Sequence, residues 1–363
     1  MLIGIDANEA NLTRARVGIN QYAFDLLHVI YQLPTTHHFV IYLKTPPLDD
    51  LPKPRKNWEY RVIPFPKLWT QTRLPFDLYT HSPRPDVFFS MTHYAPRWSP
   101  VPSVVAIMDL GFLQTPEQFT AKDFNQLKSW TGYSIKQAAK IITISEHTKK
   151  DIIKYYGRKN ITVIYPGYDK KLFRPTKNAK TLTKYGIKEP YLLFLSSLKP
   201  SKNVEGLIKA FHQSNLPHNL VISGKKGWLY NKIFEIVKQL KLEDRVIFTG
   251  FVDEPDVPVL MTHAAAFVMP SFFEGFGIPV LEAMACGTPV TVSQIASLPE
   301  VAGEAGIYVN PHDIASIVSG LKTAIGPRRK EFVKMGLERV KLFSWDKCAR
   351  QTLACLETAT ANH

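Results

Sequence analysis

Short apolar runs alternate with amphipathic stretches along most of the chain, and this pattern predicts its secondary structure. Runs bounded by turn residues predict buried strands, and apolar residues three or four positions apart predict helices. The predicted strands are 2–6, 39–43, 60–63, 87–90, 104–108, 141–144, 191–195, 220–223, 246–250, 267–269 and 289–293. Helices are predicted over stretches such as 20–32 and 119–139. Because turn residues or helical spacing separate the strands up to 108, this order favours a parallel, doubly wound sheet.

The stretch 266–300 carries the most chemical information. It reads as a strand, a Pro270-Ser271 break, a glycine-rich loop with Glu274, and a short helix with Glu282. Backbone N–H groups of Gly275–Ile278 at the start of that helix can hold an anion or a sugar hydroxyl. Two carboxylates can accept hydrogen bonds from a polyhydroxylated ligand at two separate points. The stretch therefore predicts a binding site.

Two further turns add to this picture. Ser297-Leu298-Pro299-Glu300 has the spacing of a capping box, which predicts that Ser297 caps a helix. The polar turn SSLKPSKN follows strand 191–195 and supplies Ser197, Lys199 and Lys202 ahead of a helix. An ammonium group and helix N–H groups at one place predict a diphosphate site there.

The segment 64–79, PFPKLWTQTRLPFDLY, mixes aromatic, apolar and basic residues and is too interrupted by proline for one long helix. It can be interpreted as an acceptor-side or membrane-facing loop. The ordinary interpretation, a helix and a loop packed on the domain, is the favoured one.

The balance of charge limits the class of partner. The chain of 363 residues has a formal net charge of +14, and residues 1–170 carry 21 Lys and Arg against 14 Asp and Glu. A basic enzyme suits an anionic donor, a phosphate-bearing acceptor or an anionic membrane surface. A generally solvated basic surface explains the charge equally well. Nucleic-acid binding is supported by charge alone, since no recognised nucleic-acid motif accompanies it.

Cysteine content and hydropathy indicate the compartment. Cys286, Cys348 and Cys355 form no CxxC pair, and Cys348 and Cys355 fall on one face of the last predicted helix, which makes them core residues. There is no apolar run of transmembrane length, and the first residues read as a buried strand rather than a signal peptide. The predicted compartment is the cytoplasm, with a peripheral position on the inner face of the membrane left open.

The whole run FVMPSFFEGFGIPVLEAMACGTPVTVSQIASLPEVAG resembles the donor-binding region of the retaining glycosyltransferases of family four. The hallmark of that family is two glutamates with seven residues between them, and Glu274 and Glu282 have this spacing. The segments ISEHTKKDI and VIYPGYDKKLF also resemble the part of the family's sequences where the chain leaves the first domain. The resemblance implies an α/β protein of the GT-B type, with two Rossmann-like, doubly wound domains facing across a cleft.

That resemblance also implies domain limits. Residues 1–170 form the acceptor-side domain, 171–186 a linker and 187–342 the nucleotide-sugar donor domain. Residues 343–363 form a C-terminal helix that crosses back to the first domain. Gly224 is then expected near the nucleotide, and the backbone at Val252 near the base. Trp228 is expected to pack within the domain rather than stack on the base.

The family's roles can be carried over residue by residue. Glu274 is expected to orient the transferred sugar, Glu282 to hold the ribose hydroxyls, and Lys202 to stabilise the leaving diphosphate. The residues expected to take part in catalysis are Glu274, Lys202 and Asp109. The residues expected to bind the donor are Gly18, Ser197, Lys199, Lys202, Gly224, Val252, Glu274, Gly275, Phe276, Gly277, Ile278, Leu281 and Glu282.

Several positions depart from the family's pattern. Met108 stands where a histidine usually reaches the transferred sugar, and Met108 cannot donate that hydrogen bond. His93 is a candidate replacement, although an ordinary loop histidine is the favoured interpretation. Ser201 stands where a second basic residue is common, with Lys199 as a candidate substitute, and Asn20 replaces a glycine of the first loop.

The resulting hypothesis is a metal-independent retaining glycosyltransferase that moves a hexose from a nucleotide diphosphate sugar, with GDP-mannose as the first guess. The acceptor is a hydroxyl of a carbohydrate or a lipid-linked glycan in polysaccharide or glycolipid assembly. No cofactor is expected, because the sequence has no evident metal-binding carboxylate cluster or Cys/His ligand set. The alternatives are a donor-binding protein without turnover and a basic nucleic-acid-binding protein.

Overall fold

The computed structural model describes residues 1–116, 120–225, 227 and 231–360. The chain forms two compact units, an N-terminal unit of Met1–Gly167 with the segment from Ser344, and a C-terminal unit of Tyr168–Phe343. Gly167 lies against the backbone of Ser344 and Trp345, where a Cβ atom on Gly167 would overlap the Trp345 nitrogen. The chain therefore leaves and re-enters the N-terminal unit at one place.

The N-terminal unit is built on a parallel sheet of seven strands in the order β3-β2-β1-β4-β5-β6-β7. Its strands are β1 (Leu2–Asp6), β2 (His38–Leu43), β3 (Trp58–Val62), β4 (Val87–Ser90), β5 (Ser103–Ile107), β6 (Lys140–Thr143) and β7 (Ile161–Val163). Its helices are α1 (Ile19–Gln32), a π-helical turn (Trp69–Arg73) continued by α2 (Leu74–Thr80), α3 (Gly111–Gln114), α4 (Ala121–Gln137) and α5 (Glu146–Tyr156). Helices lie in four of the six connections between consecutive strands, and such crossovers bring the next strand back in the parallel direction.

The C-terminal unit repeats this architecture with six parallel strands in the order β10-β9-β8-β11-β12-β13. Its strands are β8 (Tyr191–Leu195), β9 (Asn219–Ser223), β10 (Val246–Gly250), β11 (Ala266–Met269), β12 (Val290–Ser293) and β13 (Gly306–Val309). Its helices are α6 (Lys180–Lys184), α7 (Val204–Ser214), α8 (Asn231–Gln239), α9 (Val257–His263), α10 (Ile278–Ala285), α11 (Leu298–Ala302), α12 (Ile314–Ala324) and α13 (Arg329–Arg339), with short 3-10 turns between some of them. One apolar cluster fills the space between strands β8, β9 and β11 and helices α7, α8 and α12.

Helix α14 (Trp345–Thr360) packs on the N-terminal unit. Its Trp345 ring lies 5.7 Å from the ring of Tyr22 on α1. Cys348 and Cys355 are both buried on its inner face, as predicted. Burial raises the pKa of the Cys348 thiol to about 12, so this thiol stays protonated and behaves as an apolar core group.

The residues predicted as a linker are folded. Within 171–186, helix α6 packs against α9, and Leu182 is buried. The Lys184 ammonium lies 2.7 Å from a carboxylate oxygen of Asp256, which also accepts a hydrogen bond from the Tyr185 hydroxyl. This stretch is polar because its helix is short and lies on the surface of the C-terminal unit.

Strand prediction succeeded where the apolar run is continuous. The bounds of β1, β4, β8 and β10 coincide with the prediction. Strands β7 and β13, of three and four residues with partly exposed positions, were not predicted. The helix predicted from 119 is α4, which begins at Ala121 in the described chain; Phe119 lies outside the described residues, as does Trp228. No helix among the described residues is long and apolar enough to cross a membrane.

Candidate donor site and the strand ends of the two units

The loops after β8 and β11 bring together two of the predicted site residues. The Lys202 ammonium lies 2.7 Å from Oε2 of Glu274, and the Ser271 hydroxyl donates to Oε1 of Glu274 at 2.8 Å. The Lys202 and Glu274 side chains are only 16% and 11% exposed. A largely buried pair of this kind is rigid, and it fixes the orientation of a carboxylate at the carboxyl edge of the sheet, where ligands of open α/β sheets bind.

The glycine-rich loop that follows Glu274 ends in the N-terminus of α10. Gly277 precedes the helix with φ of 100°, a region that favours glycine, and Pro279 occupies its first turn. In the described chain, the backbone N–H groups of Gly275, Gly277 and Ile278 donate no hydrogen bond within the protein. These groups lie at the N-terminal end of α10, where the helix dipole is positive, and their use by a ligand stays a prediction.

Ser297 does not cap a helix, so the predicted capping box is wrong. Its backbone is already helical, with φ of −87° and ψ of −11°, and its side chain makes no capping bond. The buried hydroxyl instead donates toward the carbonyl oxygens of Glu274 at 2.7 Å and Phe276 at 3.2 Å. Ser297 therefore holds the glycine-rich loop in place, a long-range role that a local spacing rule could not reveal.

Asn203 is a second positioning residue that the sequence reasoning missed. Its side-chain amide donates to the carbonyl oxygens of Pro270 at 3.0 Å and Pro311 at 2.8 Å, and it adopts a left-handed conformation with φ of 53°. Asparagine tolerates this conformation better than most residues. The amide ties the loop after β8 to the chain segments that follow β11 and β13.

The predicted residues Ser197 and Lys199 lie in a loop that pairs with the loop after β9. The Leu198 N–H donates to the Lys225 carbonyl at 2.9 Å. Gly224 has φ of 138°, and a Cβ atom there would overlap the Ser196 carbonyl oxygen. Gly224 is therefore required by the close approach of two backbones, whatever ligand lies nearby.

Four other predicted donor-binding residues differ in how accessible they are. Glu282 lies on α10 and is half-buried. Leu281 is fully buried, Val252 is buried, and Phe276 is buried with its ring 5.9 Å from that of Phe343. The side chains of Leu281, Val252 and Phe276 belong to the core, so only their backbones remain for a ligand.

The carboxyl edge of the N-terminal sheet carries Asp109 and His93. Oδ1 of Asp109 accepts a hydrogen bond from the Gly111 N–H at 2.8 Å. His93 has φ of 40°, and its Nδ1 is buried without a hydrogen-bond partner in the described chain. Burial lowers the pKa of His93, and the nearby Asp109 carboxylate opposes that shift. The structure thus places His93 in the electrostatic range of Asp109, and its replacement of the family's histidine stays a prediction.

Met108 lies beside Asp109 and takes part in packing. Its side chain is buried, and its carbonyl oxygen accepts a hydrogen bond from the Thr148 hydroxyl at 3.2 Å. The Ser145 hydroxyl accepts from the Thr148 N–H at 3.1 Å, which confirms the predicted cap of α5. Met108 is therefore a core residue at this strand end.

The first loop of the N-terminal unit carries Gly18 immediately before α1. Gly18 is exposed with φ of 56°, and a Cβ atom there would meet open space. The Asn20 amide, which stands where the family has a glycine, donates to Oε2 of Glu9 at 2.6 Å. At the end of β1, burial raises the pKa of Asp6 to about 6. Polar side chains within the β1–α1 loop hold its conformation. Because Gly18 has no side chain, the backbone at this position is accessible.

Solved structures define the class of fold. The chain superposes on sucrose-phosphate synthase from Thermosynechococcus elongatus with a TM-score of 0.82 and 20% identity, covering 100% of both chains. It superposes on WaaG, a glycosyltransferase involved in lipopolysaccharide biosynthesis, with a TM-score of 0.76 and 17% identity over 98% of this chain and 99% of that one. With HepE of Anabaena, solved in complex with UDP and glucose, the TM-score is 0.75 at 19% identity, with 98% and 99% covered. The two Rossmann-like units define a glycosyltransferase fold of the GT-B type.

Sequence comparison defines the family. Residues 18–172 match the model described as Glycosyltransferase Family 4, and residues 178–335 match Glycosyl transferases group 1. The chain is 30% identical to the O-antigen chain mannosyltransferase B of Escherichia coli over 262 residues, which is 69% of each chain. It is 32% identical to the O-antigen chain mannosyltransferase RfbU of Salmonella typhimurium over 220 residues, 60% of this chain and 59% of that protein. The chain belongs to glycosyltransferase family four, and the predicted family is confirmed.

Proposed function

We propose that the protein transfers a hexose from a nucleotide diphosphate sugar to an acceptor hydroxyl, with retention at the anomeric carbon, in the assembly of a cell-surface polysaccharide. The first candidate donor is GDP-mannose, because two relatives are named as O-antigen chain mannosyltransferases. The HepE complex with UDP and glucose supports a nucleotide sugar as the class of donor.

The observation that carries the proposal is the Lys202–Glu274 pair beside the unpaired N–H groups of the glycine-rich loop. Departure of a nucleoside diphosphate places negative charge on the bridging phosphate oxygen. A positioned ammonium group and oriented amides stabilise that charge without reorganising during the reaction. We assign leaving-group stabilisation to the Lys202 ammonium with the N–H groups of Gly277 and Ile278, and we propose that these donors act without a divalent metal.

The Glu274 carboxylate can accept further hydrogen bonds from a sugar. An ionised carboxylate has about four lone-pair sites, and Lys202 and Ser271 occupy one on each oxygen. The remaining sites can accept hydrogen bonds from sugar hydroxyls, and the two internal bonds fix the direction in which they point. We therefore assign Glu274 to sugar orientation and the half-buried Glu282 to the ribose hydroxyls.

The N-terminal unit supplies the remaining assignments. Asp109 lies at the carboxyl end of β5, and Gly18 opens α1 with free space above it. We assign Asp109 to the transferred sugar or acceptor and the backbone at Gly18 to the donor phosphates. On this proposal the departing phosphate takes the acceptor proton, so no protein nucleophile is needed and the anomeric configuration is retained.

The test is transfer by the purified protein from a panel of nucleotide sugars to lipid-linked and free oligosaccharide acceptors. Release of nucleoside diphosphate measures turnover, and the anomeric proton coupling or carbon shift of the product reports its configuration. We expect transfer from GDP-mannose, unchanged in excess EDTA, with an α-linked product. Binding of donors without transfer or hydrolysis would refute the enzymatic activity and support the alternative of a donor-binding protein. A product of inverted anomeric configuration would refute the retaining mechanism. Binding to nucleic acid alone at physiological salt would refute the whole assignment.

A further inference from the structure

The second half of the β1–α1 loop is held by one buried side chain. Among residues 12–19, all of which the structure describes, Arg16 is the only buried one. Leu12 and Val17 in the same stretch are 70% and 47% exposed. Arginine is almost never fully buried unless it is paired. The burial of Arg16 therefore indicates a specific set of partners.

Three parts of the N-terminal unit hold the Arg16 guanidinium. Its Nη1 and Nη2 atoms lie 2.7 Å and 3.1 Å from the two carboxylate oxygens of Asp50, in the loop between β2 and β3. Its Nε donates to the carbonyl oxygen of Ala10 at 2.9 Å, and its central carbon lies 3.8 Å from the ring centroid of Phe24 on α1. A planar group with a two-point ion pair, a third hydrogen bond and a ring against its face is held in one orientation.

Asp50 is fixed in turn. Its carbonyl oxygen lies 3.0 Å from Nε2 of His28 on α1, and the side chain of the next residue, Leu51, is buried. The hydrogen bonds from Arg16 hold the pKa of Asp50 below its ordinary value, so this carboxylate is ionised at neutral pH. The Arg16–Asp50 pair thus joins the β1–α1 loop to α1 and to the loop between β2 and β3.

A neighbouring ion pair has the same chemistry without the burial. Nη2 of Arg14 lies 2.6 Å from Oδ2 of Asp49, but these side chains are 65% and 87% exposed. The corresponding values for Arg16 and Asp50 are 4% and 36%. Exposed ion pairs contribute little, because water and salt screen them. The loop is therefore anchored by Arg16–Asp50, and Arg14–Asp49 is a matched pair for comparison.

The anchor lies two residues before Gly18, whose backbone the proposed function assigns to the donor phosphates. Gly18 has φ of 56° and ψ of −121°, and its N–H donates no hydrogen bond within the described chain. A Cβ atom on Gly18 would meet open space. With no side chain and no close neighbour, Gly18 depends for its conformation on Arg16 before it and on helix α1 after it.

We propose that Arg16, held by Asp50, is a positioning residue that fixes the Gly18 backbone in the conformation that receives the donor phosphates. The inference rests on the proposed function, because it takes the donor phosphates as the ligand of Gly18. All three guanidinium nitrogens are engaged within the protein, so Arg16 acts through the loop rather than by contact with the ligand. A loop that is ordered before the donor arrives spares the complex the entropy cost of ordering it.

The sign of one substitution separates this role from a direct electrostatic one. Asp50→Asn removes a negative charge from the surroundings of the loop, so a direct effect of charge would raise the affinity for an anionic ligand. Loss of the anchor should lower it instead. We expect Asp50→Asn and Arg16→Met each to weaken binding of a nucleoside diphosphate about tenfold, which corresponds to ordering about one backbone residue. The double variant should weaken it no further, because the two side chains act as one unit.

The measurements use the full chain. Titration calorimetry with GDP and with UDP reports on the diphosphate, and competition by guanosine and by uridine reports on base and ribose alone. The affinity for the nucleosides should be unchanged in both variants, because the proposed contacts of base and ribose lie in the C-terminal unit. Amide hydrogen exchange of residues 7–18 in the ligand-free protein should be faster in both variants, because the loop opens more often.

The matched controls are Arg14→Met and Asp49→Asn, which make the same chemical changes in the exposed pair. Both should leave diphosphate affinity and hydrogen exchange within about twofold of the unchanged protein, and far-ultraviolet circular dichroism of all variants should show the native fold. Unchanged or tighter diphosphate binding by Asp50→Asn, an equal effect in the controls, or unchanged hydrogen exchange of the loop would overturn this inference alone. Failure of the unchanged protein to bind either diphosphate would overturn the inference together with the proposed function.

Discussion

Changing Glu274 to glutamine removes the carboxylate charge and keeps the shape of the side chain. At the 2.7 Å separation from Lys202, with an effective dielectric constant of about 20, the Coulomb attraction is roughly 6 kcal/mol. Most of it is offset by the desolvation of the two largely buried groups. Glu274→Gln leaves the Lys202 ammonium without its counter-charge, and we expect the free energy of unfolding to fall by about 1–3 kcal/mol.

The same variant should affect the affinities of two ligands differently. A nucleoside diphosphate contacts the phosphate side of the proposed site, where the Lys202 charge is no longer neutralised, so its affinity should be unchanged or higher. A nucleotide sugar also uses the carboxylate of Glu274, and its affinity should fall by about tenfold because a hydrogen bond to a charged group is lost. Isothermal titration calorimetry with GDP and GDP-mannose measures both, and urea unfolding measures stability.

Two further variants complete this experiment. Lys202→Met should weaken binding of both ligands, because it removes the cation that faces the phosphates. Lys238→Met removes an exposed lysine of α8 and should change neither affinity nor stability. Equal weakening of both ligands by Glu274→Gln, with stability unchanged, would refute the role of Glu274 in sugar orientation and the contribution of the pair.

Three other predictions concern stability. Ser297→Ala should lower the free energy of unfolding in urea by about 1–3 kcal/mol, because it leaves buried carbonyl groups without a donor; an unchanged midpoint would contradict this. Gly224→Ala should cost more than about 3 kcal/mol or prevent folding, because its Cβ would overlap the Ser196 carbonyl. Gly18→Ala meets no such overlap, and only its unfavourable backbone conformation, with φ of 56° and ψ of −121°, should cost about 1–3 kcal/mol; a melting temperature lower than that of Gly224→Ala would contradict this. Burial raises the folded-state pKa of Asp6 from 3.8 to about 6. The ionised carboxylate therefore lowers the free energy of unfolding by up to about 3 kcal/mol above pH 6. This destabilisation disappears as the pH falls from 6 to 4, because the carboxyl group becomes protonated in the folded protein. Asp6→Asn should therefore stabilise the protein at pH 8 and not at pH 4, and a difference independent of pH would contradict this.

Local patterns were sufficient to predict most of the fold. The bounds of β4 and β8 follow from continuous apolar runs, because a strand covered on both faces needs apolar residues at nearly every position. The bounds of β10 were also predicted, although it is an edge strand and only partly buried. Strands β7 and β13 were not predicted; each is short and partly buried. The alternation of strands and helices was enough to predict a parallel, doubly wound sheet, and the family resemblance implied two such domains.

The site was predicted as a set of residues, but its internal contacts were not. Lys202 and Glu274 were each expected at the donor, yet their ion pair joins positions 72 residues apart, and no local pattern encodes it. Ser297 has the spacing of a capping residue, which would accept a hydrogen bond from a backbone N–H. In the structure its hydroxyl instead donates to carbonyl oxygens of the Glu274 loop. The role of Asn203 was harder still to predict from the sequence, because its side-chain amide donates to carbonyl groups of two distant loops.

Gly167 contacts the backbone of Ser344 and Trp345. The C-terminal unit is therefore inserted between two segments of the N-terminal unit, 1–167 and 344–363. Its two boundaries lie side by side, so excision of 168–343 needs only a bridge of a few residues between 167 and 344. A shortened chain of this kind would retain all seven strands and the closing helix of the first sheet. The polypeptide thus has an arrangement in which evolution or an engineer can exchange one C-terminal unit for another while the N-terminal unit stays covalently intact.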